Sequence, residues 1–263
     1  MEFETIRLER VGAVARIVLN RPERLNACPP HMAVEIADAL TLMGKDTRAL
    51  VITGEGRAFC SGADLAARGD RPSPITGGAG SYKALTEAYN PMVAKLAKLN
   101  VPIITAVNGP AAGVGCSIAL AGDFVVAGRS AYFLQAFVNI GLVPDGGSSW
   151  ILPRLIGKAR ATEMMMLGEK IGAEKAENWG MIYKCVDDDK LQDEAMALAE
   201  RLARGPTVAL GMMRQNLLKA LECDLSGALL AEAEGQLKAG DSEDSREGVL
   251  AFLEKRKTNF SGK

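Results

Sequence analysis

The chain has 263 residues, 48% of them hydrophobic and 24% charged, and a formal net charge of −1. That length holds one large domain or a domain with an appendage, and the composition is that of an ordinary globular protein. The near-zero charge excludes nucleic acid or an anionic membrane as the main partner, because phosphate binding needs a basic surplus.

The chain opens on Met1-Glu2-Phe3-Glu4, acidic and without the apolar core of a signal peptide. No run approaches the roughly 20 apolar residues of a membrane span, so the expectation is a soluble, cytoplasmic protein. Residues 13–19 and 49–53 read as strands. Between them Ala33, Ile36, Ala37, Leu40 and Met43 recur on one helix face. Residues 66–80 are rich in Gly, Pro and Arg and read as a loop, a lid over a site or a plain insertion. Helical periodicity returns at 82–99, followed by strands at 101–107 and 124–127 with a small-residue helix at 116–121 between them. Strands separated by helices of this length imply βαβ units. After Pro153 the pattern is nearly all helix: 159–167, 173–179, 190–203, 208–221, 225–239 and 247–257. Gly180 is placed as a helix stop, Gly205-Pro206 as a break, and Asp244 with Glu247 as a capping pair for the last helix.

Most chemistry-bearing patterns are absent. The five cysteines (Cys28, Cys60, Cys116, Cys185 and Cys223) are odd in number and scattered. With no C-x-x-C pair, they imply neither a zinc site nor a disulfide framework. Gly147-Ser148-Ser149 lacks the closing glycine of a nucleophile elbow. A Ser-His-Asp triad would have to use the sole histidine, His31, which sits at a helix start after Pro29-Pro30 and reads as a surface or capping residue. Gly109 to Gly115 has the wrong spacing for a dinucleotide fingerprint, and no His/Asp/Glu cluster has metal-ligand spacing.

Two glycine turns and one acid remain. Residues 58–65 follow the 49–53 strand, and residues 108–115 follow the 101–107 strand. Glycine lets backbone approach a ligand, and two N–H groups aimed at one point form an oxyanion hole; strand-to-helix turns also contain glycine for purely structural reasons. Asp145 lies among Ile140, Leu142, Val143 and Pro144. Desolvation makes a carboxylate a better base, while a turn or helix-cap aspartate before Gly146-Gly147 is the structural alternative.

Together these segments resemble the crotonase (enoyl-CoA hydratase/isomerase) superfamily. The resemblance runs through Asn20-Arg21-Pro22 with Leu25-Asn26-Ala27 and Phe59-Cys60-Ser61-Gly62-Ala63-Asp64-Leu65. It continues with Ala106-Val107-Asn108-Gly109, Gly113-Val114-Gly115-Cys116 and Gly141-Leu142-Val143-Pro144. It ends with Glu247-Gly248-Val249 and Phe252-Leu253-Glu254-Lys255-Arg256. The resemblance implies an α/β fold: a ββα-spiral acyl-CoA-binding core over 1–200 and a C-terminal helical trimerisation region over 201–263. It also implies a homotrimer, often paired into a hexamer, and an acyl-CoA thioester substrate, so that CoA arrives as part of the substrate and no separate cofactor or metal is expected.

By the same resemblance the oxyanion donors are the N–H groups of Ala63 and Val114. Valine stands where the family usually has glycine, so its side chain narrows the pocket. Arg24, Asp64 and Leu65 match positions near the CoA nucleotide. Phe252 and Lys255 match positions that reach the CoA of a neighbouring subunit. The two glutamates of the hydratases are replaced by Ser117 and Phe137, neither of which does acid–base work, so Ser117→Ala is expected to matter little. Asp145 matches the acid of an isomerase branch, with the greatest likeness to the ring 1,2-epoxyphenylacetyl-CoA isomerases. Phe137 and Tyr132 are candidate walls of an acyl pocket. The dehalogenase branch also has an acid here but adds a histidine and a tryptophan, where this chain has Asn90 and Phe137. Hydration by a water held on Asp145 alone and non-catalytic acyl-CoA binding remain as alternatives.

Overall fold

The computed structural model describes residues 2–64 and 77–263. Leu65 and most of the glycine-rich spacer lie outside the described residues. Its last part does not: residues 77–80 already belong to a helix, Gly77–Ala84.

The described strands are β1 (Ile6–Val11), β2 (Val14–Leu19), β3 (Ala49–Gly54), β4 (Ile103–Val107), β5 (Ala111–Ala112), β6 (Phe124–Gly128), β7 (Tyr132–Leu134), β8 (Ile171–Gly172) and β9 (Lys184–Val186). The main sheet has the order β1-β2-β3-β4-β6-β9. β1 and β2 form an antiparallel hairpin from Ile6↔Leu19 to Val11↔Val14. Its tight turn uses Gly12 at φ +59, a conformation that costs other residues more. All further pairs in this sheet are parallel, as helical crossovers require. A small second sheet has the order β5-β7-β8.

The helices, in chain order, are α1 (Pro30–Leu42), α2 (Gly77–Ala84), α3 (Asn90–Ala97), α4 (Val114–Leu120), α5 (Ser148–Leu167), α6 (Ala173–Asn178), α7 (Leu191–Ala203), α8 (Thr207–Ala220), α9 (Leu225–Gly240) and α10 (Glu243–Leu253). A π turn over Leu85–Tyr89 joins α2 to α3.

β3 is buried along its whole length and shows how the layers form. Successive side chains of a strand point to opposite faces. Leu50 and Ile52 join a core with Met32 and Ile36 of α1 and Met92 and Leu96 of α3. Ala49 and Val51 join a second core with Leu191, Ala195, Ala199 and Ala203 of α7. The sheet is therefore apolar on both faces, as parallel sheets are.

The C-terminal half differs from the all-helix expectation, because β8 and β9 interrupt it. Strands of two and three residues are too short to carry a period of their own. α5 bends at Gly157, which has φ 75 and ψ 160 inside the helix. The last helix starts four residues before the expected point, capped by Ser242, whose hydroxyl accepts from the Ser245 N–H. The expected Asp244–Glu247 capping pair is corrected by this. Buried Asp244 accepts from the N–H groups of Ser261 and Gly262, and Glu247 holds Arg256 and the Asn259 N–H. Gly180 does stop α6, at φ +72.

The C-terminal helices are fixed to the sheet by polar contacts. Buried Arg214 of α8 pairs with Asp123 at 2.8 Å and also donates to the carbonyls of Ala97 and Leu99. Arg48 donates to Thr207 Oγ1 and to the Gly205 and Phe260 carbonyls. Among the described residues no helix is long and apolar enough to cross a membrane.

Candidate active site

The two glycine turns are held by asparagines of the quoted motifs. Buried Asn26 donates through Nδ2 to the carbonyls of Glu55 and Ala58, and its Oδ1 accepts from the Arg21 N–H. Asn108 accepts from the Gly54 N–H and donates to the Gly56 carbonyl. Both side chains thus fasten the segment between β3 and the first turn.

The turns are then joined by their backbones. The Cys60 N–H donates to the Pro110 carbonyl and the Ala112 N–H to the Cys60 carbonyl, at 3.0 and 2.9 Å. A Cβ on Gly115 would lie 2.2 Å from the Cys60 carbonyl oxygen, and one on Gly62 would lie 3.0 Å from that of Ala112. Gly62 also has φ +105. These two positions need glycine for space, and Gly62 for its backbone as well.

This contact places both expected donors. Cys28 pairs with Ala63 in a parallel bridge, but the bond runs from the Cys28 N–H to the Gly62 carbonyl at 2.7 Å. In a parallel pair the residue opposite a bonded one turns its own N–H away, so the Ala63 N–H faces the other side. Val114 is the first residue of α4, where helix N–H groups lack intrahelical partners. Among the described residues neither N–H donates to a protein acceptor.

Ala63, Val114 and Asp145 all line one cavity of about 180 Å³. Its remaining walls are mostly apolar, among them Leu85, Tyr89, Phe137, Ile140, Leu142 and Val143. Asp145 is the only carboxylate among the described lining residues. It sits at the start of a tight turn in which Gly146 has φ +59 and Gly147 has φ +85, closed by the Ser148 N–H on the Asp145 carbonyl at 3.1 Å. Of the two structural alternatives for Asp145, the turn is present and the helix cap is not, since α5 is entered from Gly147 with no side-chain cap.

The neighbouring thiols are poor nucleophiles. Burial pushes Cys60 and Cys116 up to about 12. Burial also raises Cys28 well above the usual thiol range; nearby Cys60 and the Asp145 charge push it the same way, and Arg21 opposes them. Thiolates are therefore scarce at neutral pH.

The other expected residues fall into two groups. Arg24 is next to the cavity, its carbonyl accepting from the hydroxyl of the lining residue Ser61 at 3.4 Å. Asp64 is buried and paired with Arg21 at 2.8 Å. Phe252 and Lys255 do not line the cavity; both are exposed at the end of α10. Tyr132 is not among the lining residues either, and its ring lies under the Lys170 ammonium at 4.4 Å. His31 is exposed at the start of α1.

The sequence reading missed the wall made by Ser81, Ala84, Leu85 and Tyr89. Tyr89 is buried, its hydroxyl donating to the Cys28 carbonyl at 2.7 Å. It missed as well the contact of Ser117, whose hydroxyl is 3.0 Å from the Asp145 carbonyl oxygen.

The fold is that of the crotonase class of acyl-CoA enzymes. Residues 9–263 match the family model described as enoyl-CoA hydratase/isomerase, and the chain belongs to that family. It is 46% identical to the 1,2-epoxyphenylacetyl-CoA isomerase of Escherichia coli K12 over the full length of both chains. It is 43% identical, again over the full length of both, to a Rhodobacter capsulatus protein named as a probable enoyl-CoA hydratase. The crystal structure of an enoyl-CoA hydratase from Bacillus anthracis superimposes with a TM-score of 0.92 at 28% identity, covering 99% of this chain and 100% of the other. Acyl-CoA hydratase/isomerase chemistry is accordingly the activity of this chain.

Proposed function

We propose that this enzyme isomerises an acyl-CoA thioester with Asp145 as its single general base. The observation that carries the reading is the cavity itself, whose described lining residues bring together two backbone N–H groups, one carboxylate and mostly apolar walls. By the resemblance to the family, Ser117 and Phe137 stand where hydratases have glutamates. Hydration needs one group to activate water and another to deliver a proton to carbon, whereas a proton shift along a conjugated system needs only one base.

In this mechanism the N–H groups of Ala63 and Val114 donate to the thioester carbonyl oxygen. Negative charge grows on that oxygen as a proton leaves the α-carbon, so fixed donors act where charge develops. Asp145 takes that proton and returns it further along the chain for a double-bond shift. With a ring epoxide, the ring carbon–carbon bond bridged by the oxygen opens to the oxepin with both C–O bonds kept, and Asp145 moves the α-proton to a ring carbon, so the product keeps the substrate mass. The likeness to an epoxyphenylacetyl-CoA isomerase supports an aromatic-derived acyl group, and the apolar walls around Phe137 accept one.

Arg24, Ala63, Asp64 and Leu65 belong to the proposed CoA site, with Phe252 and Lys255 serving the CoA of a neighbouring subunit. The proposed assembly is a homotrimer or a dimer of trimers. Leu217, Leu225, Leu237 and Phe252 on the C-terminal helices are each more than two-thirds exposed, an apolar load that self-association would cover. Sedimentation is expected to give a trimer or hexamer, and a monomer would contradict the assembly.

The reaction is tested by product mass across aliphatic enoyl and phenylacetyl-type CoA thioesters. Isomers keep the substrate mass. Products heavier by one water, formed as fast as any isomer, would overturn the isomerase reading in favour of a hydratase.

A further inference from the structure

Asp145 reaches the cavity from a turn of two glycines, the most permissive residues for backbone motion. What holds that turn is a chain of buried side chains. Gln135 Nε2 donates to Ser148 Oγ at 3.0 Å. Ser148 Oγ and Ser117 Oγ are 2.8 Å apart. Ser117 Oγ in turn is 3.0 Å from the carbonyl oxygen of Asp145, and its alternative contact, the Gly113 carbonyl, is longer at 3.5 Å. Gln135, Ser148 and Ser117 are exposed by only 0%, 1% and 3%.

The direction of the chain follows from its chemistry. An amide NH₂ only donates and a carbonyl only accepts, while each hydroxyl has one proton. With Gln135 donating at one end and Asp145 accepting at the other, Ser148 donates to Ser117 and Ser117 donates to Asp145. Among the described residues the Asp145 carbonyl thereby receives the Ser117 hydroxyl and the Ser148 N–H that closes the turn. Packing reinforces the bonds: a Cβ on Gly146 would lie 2.7 Å from Ser117 Cβ and 2.8 Å from its Oγ, and 3.6 Å from Val114 Cγ2.

We propose that Ser117 is a positioning residue for the reaction, setting the Asp145 turn against the Val114 donor through the Gln135–Ser148–Ser117 chain. This rests on Asp145 being the base. It gives a role to the serine that stands at a lost glutamate, and it reverses the expectation that Ser117→Ala matters little. The same close approach accounts for glycine at position 146, where a Cβ would meet the Ser117 side chain.

The test compares Ser117→Ala, Ser148→Ala, the double variant and Asp145→Asn by kcat, KM and thermal midpoint. Ser117→Ala is expected to lower kcat about 10- to 100-fold, the scale that follows from misplacing a reacting group by up to an ångström, with KM and the thermal midpoint close to wild type. Ser148→Ala should lower kcat in the same direction. The double variant should lose no more than Ser117→Ala alone, because Ser148 acts through Ser117. Wild-type kcat in Ser117→Ala beside an inactive Asp145→Asn would overturn the positioning role alone, as would additive losses in the double variant. An active Asp145→Asn would instead overturn the assignment of the base. If Ser117→Ala does not fold, Ser148→Ala decides by itself, and wild-type kcat in it overturns the proposal.

Discussion

Asp145→Asn is expected to lower isomerase turnover by about 10²- to 10⁴-fold, the range a positioned general base contributes, while the affinity for CoA thioesters changes little. The substitution is suited to the question because the contacts that hold the turn among the described residues run through the Asp145 main-chain carbonyl. The Ser148 N–H and the Ser117 hydroxyl both contact the Asp145 carbonyl oxygen, which asparagine keeps. An amide has nearly the shape of the carboxylate but takes no proton from carbon. Steady-state kinetics with a thermal melt separates loss of the base from loss of the fold. Turnover within a fewfold of wild type would remove Asp145 from the chemistry.

Val114→Pro is expected to lower kcat by about 10²- to 10³-fold, the cost of removing one oxyanion donor. Proline deletes the N–H, and the local structure accommodates it. Val114 is the first residue of α4, the helical position that proline favours. The residue before it, Gly113, has φ 53 and ψ −127, a conformation open to glycine, which lacks the Cβ that usually clashes with a following proline. Val114 Cγ2 lies 3.6 Å from where a Cβ on Gly146 would stand, so Val114→Ala serves as the control that loses the side chain but keeps the donor. Equal kcat in the two variants would show that the Val114 N–H does not stabilise the transition state.

The parts of this molecule that were legible in its sequence share a physical cause. β3 and β4 are buried along their whole length and apolar but for Thr53 and Thr105, and α1 carries its buried residues on one face, so burial wrote the pattern directly. β1 was not legible: Arg7, Glu9 and Arg10 hide it, because the hairpin edge is only partly covered. β5, β7 and β8 have two or three residues each and obtain their shape from one another. At the site, Gly62 and Gly115 were visible because close backbone approach admits no Cβ. Asp145 stood out as an acid in apolar company. The wall from Ser81 to Tyr89 did not stand out, since it presents ordinary helix residues, and the π turn at Leu85–Tyr89 shifts which of them face the cavity. Ser148 was visible only as a failed nucleophile elbow. Its pairing with Ser117, 31 positions away, exists only once α4 and the start of α5 have packed together.

The central claim is that one carboxylate, Asp145, moves the proton at carbon. It is tested most directly in deuterated buffer, by following isomer formation and deuterium incorporation at the α-carbon for wild type and Asp145→Asn with the same CoA thioester. The predicted result is isomer with exchanged α-hydrogen from wild type, and neither from Asp145→Asn despite retained thioester binding. Isomer or exchange from Asp145→Asn at the wild-type rate would contradict the account.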